Sequence, residues 1–210
     1  MRNESKVNEL LREATEWRLI GLFFECPEGE WKKNVEGLAG EVADDNLRKA
    51  AEFSKAQAGE GLYHAIFGPG GPAPAREISY RDWVQPGYLL SELSAYYDAF
   101  SYSPATIEIP DHIAVEAGFI SYLRMKEAFA LMRGDEEGAE VTASASRKFI
   151  DEHLSKISER MAKSLAESEI DYLVLASDAL FRRVGPDRDA RVKKILPVLS
   201  NPDEEVECSM

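Results

Sequence analysis

The 210-residue chain is poor in the features that most often announce a function. No apolar run approaches the roughly 18 residues that span a bilayer, so no membrane helix is expected. Two cysteines, Cys26 and Cys208, are too few for a disulfide framework or a four-cysteine metal site. Free thiols in a reducing compartment are the expectation. The three histidines, His64, His112 and His153, form no His-Glu-x-x-His pattern; His112 and Glu116 stand at i, i+4 with no third ligand, so no metal is expected. There is no Gly-x-Ser-x-Gly elbow, and neither cysteine opens a helix, so no catalytic residue is expected. Period-two alternation is absent over any useful length, which argues against a sheet. Cationic charge is outnumbered. The net charge is −13, with 17 acidic against 11 basic residues in 1–105 and 21 against 14 thereafter. Without a basic patch, nucleic acid is a disfavoured partner. An acidic surface either attracts a cationic partner or serves solubility alone.

What is present is helical periodicity. Hydrophobic residues at 44% and charged residues at 30% suit one globular core. Val7, Leu10, Leu11, Ala14, Trp17 and Gly21 share a face over residues 5–24, and Cys26-Pro27 ends that helix. Helices follow at 31–38 and 44–58, the second with Asp44 as N-cap. Tyr88, Leu89, Leu93, Tyr96, Tyr97 and Phe100 line another. From 111 to 133 apolar residues lie nearly all round, as expected for a helix at the centre of a bundle. Phe149, Ile150, Leu154, Ile157, Met161 and Leu165 form a further stripe. Ser168 and Asp171 resemble a capping box that opens a helix ending at Gly185-Pro186. A last short helix is expected at 189–199 and a frayed acidic tail at 201–210. The fold expected is one all-α bundle of seven to nine helices over residues 1–200, with a Gly/Pro-rich loop in its middle. Met1-Arg2-Asn3-Glu4-Ser5-Lys6 leads into a charged helix without an apolar signal core, so a cytoplasmic location is expected.

Two segments stand out. Phe67-Gly68-Pro69-Gly70-Gly71-Pro72-Ala73-Pro74 lacks the Gly-Lys-Ser/Thr ending and preceding strand of a phosphate loop. It reads either as a helix connector or as a stiff, sculpted loop, since proline fixes φ and glycine permits close backbone approach. Glu108-Ile109-Pro110-Asp111-His112-Ile113 opens the central helix. Asp111 there is either an N-cap with His112 on the surface, or part of a carboxylate cluster with Glu108, His112 and Glu116 that faces a cation.

In this order and spacing the pair resembles the motifs of the TorD/DmsD-type redox-enzyme maturation chaperones, a family related to the NarJ group. Glu77-Ile78-Ser79-Tyr80 is similar to the close of the family's loop, Glu116-Ala117-Gly118-Phe119-Ile120-Ser121-Tyr122-Leu123 to its central helix, and Phe149-Ile150-Asp151-Glu152-His153-Leu154 to its Phe-x-x-x-His-Leu stretch. Ile78-Ser79 in place of Ser-Val, and Ser91 where relatives carry glycine before Glu92, mark a divergent member. The resemblance implies a non-catalytic, cofactor-free helical chaperone, monomeric or homodimeric. It would bind the cytoplasmic precursor of a molybdopterin-containing oxidoreductase subunit, at its twin-arginine leader, until the cofactor is inserted. Carried onto this chain, the peptide-binding surface would involve Phe67, Gly68, Pro69, Gly70, Pro72, Tyr80, Pro110, Asp111 and His112. A leader needs carboxylates beside an apolar groove. Asp111, Glu108 and Glu116 are the candidate charges; Phe67, Tyr63 and Tyr80 are the candidate walls. The alternative is a helical adaptor unrelated to metallocofactor assembly.

Overall fold

Apolar residues three and four apart wind α1 (Arg2–Phe23) against α6 (Ile113–Met132), and these two helices form the spine of the molecule. The computed structural model describes residues 2–187. Between the spine helices in sequence lie α2 (Trp31–Ala39), α3 (Asp45–Gln57), α4 (Glu60–Phe67), a single 3-10 turn (Glu77–Tyr80) and α5 (Pro86–Phe100). After them come α7 (Glu136–Phe149), a π-helical turn (Ile150–Leu154), α8 (Ser155–Ala166) and α9 (Asp171–Val184). Among the described residues there is no strand and one isolated antiparallel bridge, between Arg76 and His112. The fold is an all-α bundle, as the periodicity indicated. The helix expected at 189–199 and the tail at 201–210 lie outside the described residues.

One continuous buried cluster draws side chains from every helix. α6 is its axis, buried without a break from Ile113 to Ser121. Phe119 stands within 4.9 Å of Phe149 and 5.0 Å of Tyr97, ring centre to ring centre, and Tyr102 and Tyr96 complete the aromatic group. Each such edge-to-face pair adds about 0.5–1.5 kcal/mol beyond simple burial. Trp31 fixes α2 to the end of α1 by donating its indole N–H to the Leu22 carbonyl at 2.6 Å.

Local signals hold where a side chain does the capping. Asp44 accepts from the N–H groups of Asn46 and Leu47, as expected, and Asp135 caps α7. They fail where a tertiary partner takes over. Ser168 is not a capping-box residue: its hydroxyl donates to the Leu165 carbonyl, and α9 starts three residues later. Its first turn is held from outside, by Gln57 of α3. That amide accepts from the Tyr172 N–H (3.2 Å) and donates to the Asp171 carboxylate (2.8 Å). Helix α4 has no clear local signal, because Gly59 and Gly61 weaken it. Burial of Tyr63, Ile66 and Phe67 on one face overrides that propensity. Leu11 and Tyr88, expected in the core, are exposed.

Candidate functional site

The chain after α4 turns sharply because two glycines let backbone meet backbone. A Cβ at Gly68 would sit 2.4 Å from the His64 carbonyl oxygen, and one at Gly71 would sit 2.3 Å from that of Ile66. Gly70 has φ +83°, in the region that favours glycine. The segment thus folds back on the last turn of α4, leaving Pro69, Gly70 and Pro72 exposed and Gly68 half-buried. It then runs beside the second motif: the Glu77 N–H donates to the Asp111 carbonyl (2.8 Å) and the Ile113 N–H to the Ala75 carbonyl (2.9 Å). Residues 75–77, which continue the first segment, are therefore paired backbone to backbone with residues 111–113 of the second.

Most of the predicted site side chains serve that junction. Asp111 is wholly buried and is not the N-cap. Its carboxylate accepts from Arg76 at 3.1 Å and from the Ile78 N–H at 3.4 Å, cross-linking the segments. The cap of α6 is His112, whose Nδ1 accepts from the Ala114 N–H at 3.2 Å. His112 is buried, not a surface residue, and burial lowers its pKa, so the ring is neutral with its proton on Nε2. Nε2–H points to the Tyr63 hydroxyl (3.1 Å), which in turn donates to Glu108 (2.9 Å). Tyr63, Glu108 and His112 are brought together; Phe67 packs beneath them against Tyr63 and Phe24. Pro110 receives the Tyr97 hydroxyl on its carbonyl at 2.8 Å. Tyr80 lies elsewhere, half-buried under the Arg160 guanidinium of α8.

Glu116 does not join the expected carboxylate cluster. It is wholly buried, and neither of its oxygens meets an N–H or hydroxyl donor. Burial, then the carboxylates of Glu77 and Asp111, raise its pKa well above the usual range. Both influences favour the neutral acid over the carboxylate. Glu77 itself accepts from Arg81 (Nε, 2.6 Å) and lies 3.1 Å from His153 Nδ1, while Arg81 also donates to the Glu152 carbonyl. Sequence reasoning missed Arg76, Glu77, Arg81 and His153 as a network. Nothing in local spacing links a 3-10 turn to a π turn more than seventy residues away.

Open space lies on another face. A cavity of about 350 Å³ runs between α1, α6 and the 102–106 link. Leu11, Ala14, Tyr102, Gly118, Tyr122 and Met125 form its apolar floor and walls. Gly118 leaves room there for the Tyr102 hydroxyl, which would lie 2.6 Å from a Cβ at that position. Arg18 and Glu25, paired at 2.6 Å, also line it. Burial raises the Cys26 thiol to about 11, helped by a hydrogen bond to Glu28 and by the fields of Glu60 and Glu108. Glu108 and Glu25 likewise act on Tyr63. Glu25, Glu28, Glu60 and Glu108 thus each act on Cys26 or Tyr63, with Glu28 accepting from the Cys26 thiol at 3.5 Å. Glu108 is tied to the groove through its N–H, which donates to Thr106 at 3.3 Å.

No helix among the described residues is long and apolar enough to cross a membrane. No family model matches the chain, and no curated protein is significantly similar to it.

Proposed function

We propose that the protein is a chaperone that binds the twin-arginine leader of a molybdopterin-containing oxidoreductase precursor in the cytoplasm. The observation that carries this reading is an apolar groove with the Glu25 carboxylate at its edge and Glu108 joined to its Thr106 wall. A leader presents paired arginines followed by an apolar stretch. Its apolar part fits the Leu11–Tyr122–Met125 trough, in the manner of a helix laid in a groove. Its guanidiniums meet Glu25, Glu28, Glu60 and Glu108, with the planar fork matching carboxylate geometry. The likeness of the two motif segments to TorD/DmsD-type chaperones supports the same reading. Their role is then to build the wall that positions Glu108, rather than to touch the peptide throughout.

Calorimetric titration with leader peptides of molybdoenzyme precursors tests this. Each peptide is paired with a control in which both arginines are glutamine. Binding that requires the arginines, and that weakens at least tenfold in the double variant Glu25→Gln, Glu108→Gln, is the expected result. Equal affinity for peptide and control would overturn it. A second reading, an adaptor for another protein, is favoured by large apolar side chains outside the groove: Trp83 and Ile107 are fully exposed, as in large part are Phe129 and Met132 along α6. An arginine-independent peptide or protein ligand would select it.

A further inference from the structure

The contact between α5 and the π turn gathers ligating side chains that peptide binding does not use. One carboxylate oxygen each from Glu92 and Glu152 and a ring nitrogen of His153 lie within 4.8 Å of one another, the one such group among the described residues. Acidic side chains alone would mean little there. The histidine changes the argument.

His153 is wholly buried, and its two nitrogens have different surroundings. Nδ1 lies 3.1 Å from Glu77 Oε2. The Arg81 guanidinium also approaches Nδ1, at 3.5 Å, so that nitrogen is taken up by the buried network. Nε2 is buried and has no hydrogen-bonding partner. A buried polar nitrogen without a partner is uncommon and costly. Its orientation is fixed by a carboxylate behind it, which is how a metal-ligating histidine is held: one nitrogen on a carboxylate, the other free for the ion.

We propose that Glu92, Glu152 and His153 Nε2 form a binding site for a divalent transition metal, with zinc the best match. Imidazole with two carboxylates suits zinc, whereas calcium and magnesium favour all-oxygen sets. Ligands about 2.0–2.2 Å from a tetrahedral ion stand roughly 3.4 Å apart, so the group closes by a shift of about an ångström. Glu92 is exposed on α5 and free to make that shift. The outer shell is present as well. The Tyr96 hydroxyl donates to Glu152 Oε2 at 2.6 Å, orienting that carboxylate. Arg81, a half-buried cation beside the His153 ring, is paired with Glu77. Lys148, 3.8 Å from Glu152 Oε1, is a mostly exposed competitor that the ion displaces. The adjacent ligands Glu152 and His153 sit on a π turn, a distortion concentrated at functional sites. Three protein ligands leave one coordination position open.

The test is titration of the purified, chelator-treated full chain with zinc chloride, with cobalt(II) as the spectroscopic probe. One equivalent should bind, and cobalt should give a visible absorption band that zinc abolishes. Glu92→Gln and Glu152→Gln should each weaken binding at least tenfold with an unchanged circular dichroism spectrum. Glu77→Gln should weaken it by about 10–100-fold, as loss of an outer-shell carboxylate does. Glu159→Gln, on the exposed face of α8, should leave it unchanged. No stoichiometric binding, or binding indifferent to Glu92 and Glu152, overturns the proposal. Because Glu92 is exposed, that variant remains decisive even where changes at His153 impair folding. Leader-peptide affinity plays no part in the outcome.

Discussion

The junction of the two motif segments and the groove between α1 and α6 differ in almost every physical respect. At the junction Asp111, His112, Glu116, Glu77 and His153 are buried, and each is engaged by a group from a distant part of the chain. There is charge but no room. In the groove there is room, about 350 Å³, bounded by alkyl and aromatic side chains with one ion pair at the edge. The residues that look reactive in a sequence are here cross-links, and the residues that look like ordinary core border the space where a ligand fits. A buried ionic network is seldom a net source of stability, but breaking one partner out of it is costly, so it enforces a single arrangement.

The largest effect should come from the junction. Asp111→Ala removes the acceptor of the part-exposed Arg76 and of the Ile78 N–H, and should cost about 2 kcal/mol in urea denaturation. A loss below about 1 kcal/mol would mean that the segments are held together by packing alone. The next effect depends on pH. Unfolded Glu116 loses its proton as pH rises past 4.5, while the folded state keeps it. The unfolded state then binds fewer protons, so Glu116 costs stability increasingly as pH rises from 4.5 towards its raised folded value. His112 has the opposite sign. Its folded pKa is lowered below 6.5, so stability falls as pH drops through 6.5 and the unfolded ring takes up a proton. Glu116→Gln copies the neutral acid. Above pH 4.5 it should be more stable than the parent protein, with no gain below pH 4. The advantage should grow by about 1.4 kcal/mol per pH unit until the folded acid itself ionises. Urea midpoints measured across pH 4 to 8 check this, and a gain that does not vary with pH would mean that Glu116 is already ionised in the folded protein.

Smaller effects test the groove. Gly118→Ala pushes Tyr102 off α6 and should cost about 1 kcal/mol, while narrowing the trough and weakening leader binding. Met125→Ser, at a partly exposed position, should change stability by no more than about 0.5 kcal/mol. Its leader affinity should nonetheless fall about tenfold, the value of one buried methionine side chain. If Met125→Ser left affinity intact and Gly118→Ala did too, the contrast between the two regions would carry no functional meaning.

The all-α fold and the central place of α6 were legible because hydrophobic period is a local property that survives into the bundle. The pairing of the two segments was suggested only by resemblance, since backbone bridges between residues 75–77 and 111–113 leave no mark on composition. The functions of individual site residues were read less well. Asp111 before a helix looks like a cap, and only the position of Arg76 turns it inward to make His112 the cap. Glu116 looks like a surface carboxylate on a first turn, and only the burial of the whole α6 start makes it a neutral acid. The groove was hidden because Leu11, Tyr122 and Met125 satisfy the same periodicity as true core residues, and exposure cannot be read from period alone.

The π turn carries one further consequence. From Phe149 to Ile157 is eight residues, which in a regular α-helix overshoots two full turns by about 80°. Phe149 and Ile157 nevertheless enter the same core, because the wider turn at Ile150–Leu154 absorbs one residue. Seven residues would stay in phase without it. The turn is thus one surplus residue stored inside an unbroken rod, and the chain could be shortened there without misaligning Ile157, Met161 and Leu165. What such a shortening would remove is the setting of Glu152 and His153 against Glu77 and Arg81, so the surplus residue is what lets one helix serve both the core and the buried network.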